Sequence, residues 1–170
     1  MSIMTSAELL VDGFDRVVED VHGAVSGLTD DELCVRLDPD ANSIAWLVWH
    51  LARVQDDHVA GAFGTSQVWP SWASRFALPF EVADHGYGHD SAQVAAVRVP
   101  ADLLTGYYDA VHEATIPLVS SVTDSDLDRI VDRRWNPPVT LGVRLISVIN
   151  DTTQHAGQAA FIRGVVLRQR

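Results

Sequence analysis

Asp151 and His155 stand one helical turn apart in the stretch NDTTQHAGQ, residues 150 to 158, and His50 stands in WLVWHLAR. An acid and an imidazole at i and i+4 leave the same face of a helix about 6 Å apart and can grip one ion. The same spacing also suits an ordinary Asp–His hydrogen bond or a solvated stripe. Arg144, Ser147, Asp151, Gln154, His155 and Gln158 do share one stripe, but apolar residues flank it, with Val143 and Phe161 along one edge and Leu141, Val148 and Ala159 along the other. A helix that is apolar on most sides is normally buried, and its polar stripe then needs partners. His50 is a candidate partner, because its helical neighbours Trp46, Leu47 and Val54 make it an imidazole on an apolar surface. Such a histidine is either a satisfied core hydrogen-bonder or a ligand. A histidine plus Asp-x-x-x-His, brought together from two helices, supplies three protein ligands and leaves one position open, as a catalytic divalent site requires. His22, His58, His85, His89 and His112 compete, although His58 and Asp57 lie two turns from His50, too far to share its ion.

Four long helical patterns must position these residues. Thr5-Ser-Ala-Glu8 reads as a capping box, and Leu10, Phe14, Val17, Val18, Val21 and Val25 then recur at helical steps, which places a first helix at about 5 to 26. Asn42 and Ser43 cap a second, from 44 to about 63, that carries His50. A third begins at Pro100 and runs to about 122, with Pro117 expected to bend or interrupt it. The fourth starts after Pro137-Pro138, is capped by Thr140, and runs to about 167. No segment shows a period-two strand. A weak echo links Thr29-Asp-Asp-Glu with Thr123-Asp-Ser-Asp, and suggests two helical hairpins, though Thr-Asp followed by an acid is also a common helix start. Four such helices bury their stripes best as an all-α four-helix bundle. Residues 64 to 99 form a long crossover between the second and third helices, with Ser91 to Val97 as a short helix. Its Trp69-Pro70, Trp72 and His85-Gly-Tyr-Gly-His89 either plug the end of the bundle or line a pocket.

Length and charge limit the partners. A chain of 170 residues is expected to be one domain, 1–170. With 23 acidic against 12 basic residues its formal charge is −11, which argues against nucleic acid and anionic membranes. The single Cys34 excludes an internal disulfide and suits a reducing compartment. No apolar run approaches the ~20 residues of a membrane span, and MSIMTSAELL lacks a basic, signal-like start, so a soluble cytoplasmic protein is expected.

The stretches NSIAWLVWHLARVQDDHV, GYGHDSAQVAAVR and PPVTLGVRLISVINDTTQHAGQAAFIRG, with the helix plan, resemble the DinB-like superfamily. The resemblance covers nearly the whole chain and is strongest to the actinobacterial branch that includes the N-terminal domain of mycothiol-dependent maleylpyruvate isomerase. It implies a four-helix bundle with a long crossover after the second helix. It also implies a divalent metal, zinc or else nickel, held by a histidine of the second helix and two residues one turn apart on the last. These positions are His50, Asp151 and His155 here, with aspartate where many members have histidine and the isomerase branch glutamate. The implied chemistry is activation of a low-molecular-weight thiol, such as mycothiol or bacillithiol, for S-transfer to a small electrophile or for isomerisation. A protein cysteine is not needed for that, and Cys34 reads as buried or indifferent rather than as a nucleophile. Tyr87, His89, Arg144 and Gln158 are pocket candidates, with an ion pair as the alternative for Arg144. Similar proteins and the apolar helix edges imply a homodimer. A non-catalytic metal- or small-ligand-binding stress-response protein remains the alternative function.

Overall fold

The computed structural model describes residues 4–170; residues 1–3 of the expected domain lie outside it. The elements are α1 (Ser6–Val25), α2 (Asp30–Leu33), α3 (Ile44–Phe63), α4 (Ala73–Phe76), α5 (Ser91–Ala96), α6 (Ala101–Ser120), β1 (Ile130–Asp132), β2 (Val139–Thr140) and α7 (Leu141–Leu167). The four long ones form an all-α four-helix bundle, as expected. Their starts follow the capping residues of the sequence: Thr5 and Glu8 close a capping box on α1, Ser43 accepts from the Trp46 N–H, and Thr140 accepts from the Val143 N–H. Thr29 to Glu32 and Thr123 to Asp126 each form a capping box on a short helical turn, so their echo is one of helix-start chemistry.

Around the bundle, α1 packs on α6 and α7, and α3 packs on the same two helices from the other side. The neighbours across the α3–α7 seam are His50 with Asp151 and His155, His58 with Arg144, and Leu47 with Gln158. Numbers that rise on one helix while they fall on the other mean that α3 and α7 run antiparallel. Two adjoining clusters make the core, one around Trp49, Leu51, Leu104 and Tyr107, the other around Phe14, Val59, Leu145 and Val148.

Helix α3 is buried on almost every side from Ile44 to Asp56, because the crossover covers the flank that the bundle leaves open. Polar groups on a helix so enclosed need partners. Asp56 accepts from the backbone N–H groups of Val68 and Trp69 at 2.9 and 2.8 Å and from the Tyr107 hydroxyl at 2.9 Å. Arg53, fully buried, donates to the Asp84 carbonyl and to the Gln67 amide oxygen and lies over the Trp69 ring. Gln55 donates to Thr115 and accepts from Tyr108. Burial pushes both tyrosine hydroxyls well above their ordinary range, so they remain hydrogen-bond donors.

The structure differs from the sequence expectations in three places. Segment 64–99 holds a 3-10 turn at Trp69–Ser71 and helix α4 as well as the expected α5. Trp69 is buried against Trp49, Phe76 and Tyr107, which makes it a plug. Pro117 does not interrupt α6, since it lies within the last turn, where a missing N–H and one crowded carbonyl are tolerated. A two-stranded antiparallel ribbon, β1 with β2, precedes α7 where no strand was expected. Pairs of three and two residues are too short to show alternation in the sequence.

Candidate metal centre

His50 projects from α3 and Asp151 and His155 from one turn of α7, and a ligating atom of each lies within 4.8 Å of the other two. The His50 and His155 rings meet edge to face, with centroids 4.9 Å apart. Asp151 Oδ1 is 3.7 Å from His155 Nε2, too long for the Asp–His hydrogen bond that the spacing alone would permit. Asp151 Oδ2 is buried and finds no hydrogen-bond partner among the described residues. A buried carboxylate oxygen without a donor is costly unless a cation or water meets it.

Each imidazole is oriented by its far nitrogen. His50 Nδ1 donates to the His85 carbonyl at 2.5 Å, and since a carbonyl can only accept, Nδ1 carries the proton and Nε2 keeps its lone pair. His155 Nδ1 bonds to Gln158 Oε1 at 3.1 Å, which again leaves Nε2 for the cluster. This is the outer support that metal-binding histidines characteristically have. Burial pushes the His50 imidazole from its ordinary 6.5 down to about 4, opposed only in part by the bond to the His85 carbonyl. His50 is therefore neutral at pH 7, the form that ligates.

The crossover holds His50 from behind. Trp46 stacks on His50 at a centroid distance of 4.5 Å, and its indole N–H donates to His89 Nδ1. His89 Nε2 then donates to Asp84 Oδ2 at 3.0 Å, while Asp84 Oδ1 accepts from the Gly86 N–H. Burial alone would raise the Asp84 carboxyl, but these two bonds outweigh it and hold the group below its usual range. Gly86 has φ +94°, and a Cβ there would sit 2.7 Å from His50 Nδ1. Glycine is required both for the backbone conformation and for the close approach. The sequence reading missed the roles of Gly86, Trp46 and the His85 carbonyl; the only signal was the pair of glycines flanking Tyr87.

The other candidates separate. Gln158 belongs to the cluster through His155, and His89 supports it from behind Trp46 with its ring buried. Tyr87 is 87% exposed, with its ring 6.5 Å from that of His85. Arg144 bonds to Asp132, which Arg134 also holds, and the two guanidiniums keep the Asp132 carboxyl far below its usual range, Arg134 more than Arg144. Arg144, Arg133, Arg134, His58, Asp57 and Asp132 line a polar cleft of about 230 Å³ further along the α3–α7 seam. At the opposite end of the seam, Leu37, Leu47, Phe161 and Ile162, with Gln154 and Gln158, line an uncharged groove of about 480 Å³. Burial raises the Cys34 thiol above its usual range, which disfavours a thiolate there. His22 and His112 pair with Asp109 and Asp15 between α1 and α6, away from the cluster.

A helical bundle with a His/Asp/His cluster between two adjacent helices has the arrangement of side chains that could hold a metal ion. The model of the family described as Mycothiol-S-transferase matches residues 9–167, and the chain belongs to that family. A crystal structure of a conserved protein from Enterococcus faecalis is similar, with a TM-score of 0.89 and 29% identity, covering 97% of this chain and 99% of that one. No match is found among curated proteins.

The depressed His50 value has a consequence for stability. The unfolded chain takes up the His50 proton near pH 6.5 and the folded chain near pH 4, so stability is lost as pH falls between these values. Urea unfolding of the metal-free protein is expected to lose on the order of 3 kcal/mol from this group across that window. His50→Gln, which can still donate to the His85 carbonyl, should remove that part of the slope; an unchanged slope would show that His50 does not carry it.

Proposed function

We propose that the chain is a divalent-metal-dependent S-transferase in which His50, Asp151 and His155 hold the metal and a low-molecular-weight thiol of the mycothiol kind is the cosubstrate. The observation that carries this reading is the buried, unpartnered Asp151 Oδ2 beside two imidazoles whose far nitrogens are already engaged. Two nitrogens and one oxygen with a position left open suit zinc, with nickel as the alternative. When bound, the metal supplies positive charge and an open position that lower the pKa of an incoming thiol. Two neutral imidazoles and one carboxylate leave such a site with a net charge of about +1, which favours an anionic sulfur. His50, fixed by His85 and Trp46, keeps its lone pair on the cluster, and Gln158 does the same for His155. Of the two reactions expected from the sequence, the family favours S-transfer over isomerisation. The raised Cys34 thiol is consistent with an external thiol as the nucleophile.

Among the described residues no helix is long and apolar enough to cross a membrane. The single cysteine and the charge of −11 support a cytoplasmic protein with no nucleic-acid partner. Leu9 on α1 and Val143 and Ile146 on the adjacent α7 are exposed apolar side chains, and they support a homodimer through these helices. Light scattering at micromolar concentration should give a mass twice 18.6 kDa. An 18.6 kDa species alone would contradict the dimer.

Asp151→Asn tests the site itself. The variant keeps the size and removes the charge, so zinc content and thiol-dependent turnover should fall together while the bundle still folds. A surface acid would change stability by less than ~0.5 kcal/mol and leave both untouched. Full zinc occupancy with full turnover would overturn the assignment, and zinc loss in a protein whose wild type never turns over would favour the non-catalytic binding protein.

A further inference from the structure

We propose that the uncharged groove at the Leu47 and Gln158 end of the α3–α7 seam is the subsite for the electrophile, and that it selects a neutral, largely apolar or aromatic one. The proposal rests on the transferase reading and adds to it the class of acceptor. The groove adjoins the cluster through two residues: Gln158 lines it while holding His155, and Leu47 is one turn from His50. Its volume of about 480 Å³ falls within the range of small-molecule pockets. Phe161 and Leu37, 65% and 43% exposed, leave large apolar surfaces facing water beside it, which an apolar ligand would cover. None of the groove's lining side chains is ionisable, so a carboxylate or phosphate would find no counterion there. The amides of Gln154 and Gln158 offer hydrogen bonds to one or two polar substituents.

The two ends of the seam differ in chemistry, and this decides which reactant goes where. The end at His58, Asp132 and Arg144 is lined by charged and hydrogen-bonding groups suited to a hydrophilic molecule. Arg144 precedes Asp151 by two turns, which puts that cleft roughly 10 Å from the cluster along the helix, within reach of the polar remainder of a thiol whose sulfur lies at the metal. The apolar end is then left for the second reactant. In the transfer, the thiol sulfur forms the new bond to carbon with its own electron pair. The leaving group departs with the pair of the broken bond, and the thiol proton passes to solvent.

Calorimetric titration of a 4-alkylphenol series, from methyl to butyl, into the zinc-loaded protein tests the groove without turnover. Each methylene should tighten binding roughly fourfold. Phe161→Ser and Leu37→Ser, both at exposed positions, should weaken the butyl member at least fivefold with the melting temperature unchanged. Asp151→Asn should retain this binding even where zinc is lost, so failure of the metal site and failure of the groove give different results. With 1-chloro-2,4-dinitrobenzene as acceptor, Phe161→Ser should raise KM for the acceptor and leave KM for the thiol unchanged. An affinity that does not vary along the series, or a rise in KM for the thiol alone, would overturn the proposal. So would conversion of a dimer to a monomer by Phe161→Ser, which would assign the groove to a second copy of the chain.

Discussion

The enclosure of α3 is the constraint on which the other features depend. A helix with solvent on one side can leave polar side chains to water, but this one cannot, and His50, Arg53, Gln55 and Asp56 lie in succession along its buried length. Asp56 and Arg53 meet that demand by binding the crossover, through the Val68 and Trp69 N–H groups and the Asp84 carbonyl. Binding the crossover brings the His85 carbonyl onto His50. The same desolvation that requires the crossover to fold down thus fixes the tautomer of the imidazole and keeps it neutral.

Asp151 and His155 face a different constraint. They lie at the edge of the core side of α7, beside Thr152, Ala156 and Ala159, and their own side is only partly covered. Partial cover is what an open site needs, since a fully enclosed cluster would admit no reactant. The cost is an acceptor, Asp151 Oδ2, that no described protein group satisfies. A buried unpaired oxygen beside convergent imidazoles calls for a bound ion or water as its partner.

The long helices were legible in the sequence because caps and apolar periodicity agree, as at Thr5 with Leu10 to Val25 and at Ser43 with α3. The approach of His50 to Asp151 and His155 was legible for a related reason: two apolar helices, each with an unexplained polar group, bury both only by facing one another. The crossover was legible as a segment and as one short helix, but not in its contacts. That Gly86 lies against His50 and that Trp46 ties His50 to His89 depend on where a chain of 36 residues folds back, and the partner of Arg144, Asp132, is set by the fold of the β1–β2 ribbon. Such tertiary approaches leave no period in the sequence. The groove by Phe161 was hidden for the same reason, because Leu37, Leu47 and Phe161 come from three separate segments.

The central claim is that His50, Asp151 and His155 share one divalent ion. X-ray absorption at the zinc edge of the loaded protein tests it most directly. Two imidazole nitrogens and a carboxylate oxygen at about 2.0 to 2.2 Å are expected, with one imidazole lost in His155→Ala. A zinc shell without imidazole, or one that His155→Ala leaves unchanged, would contradict the account.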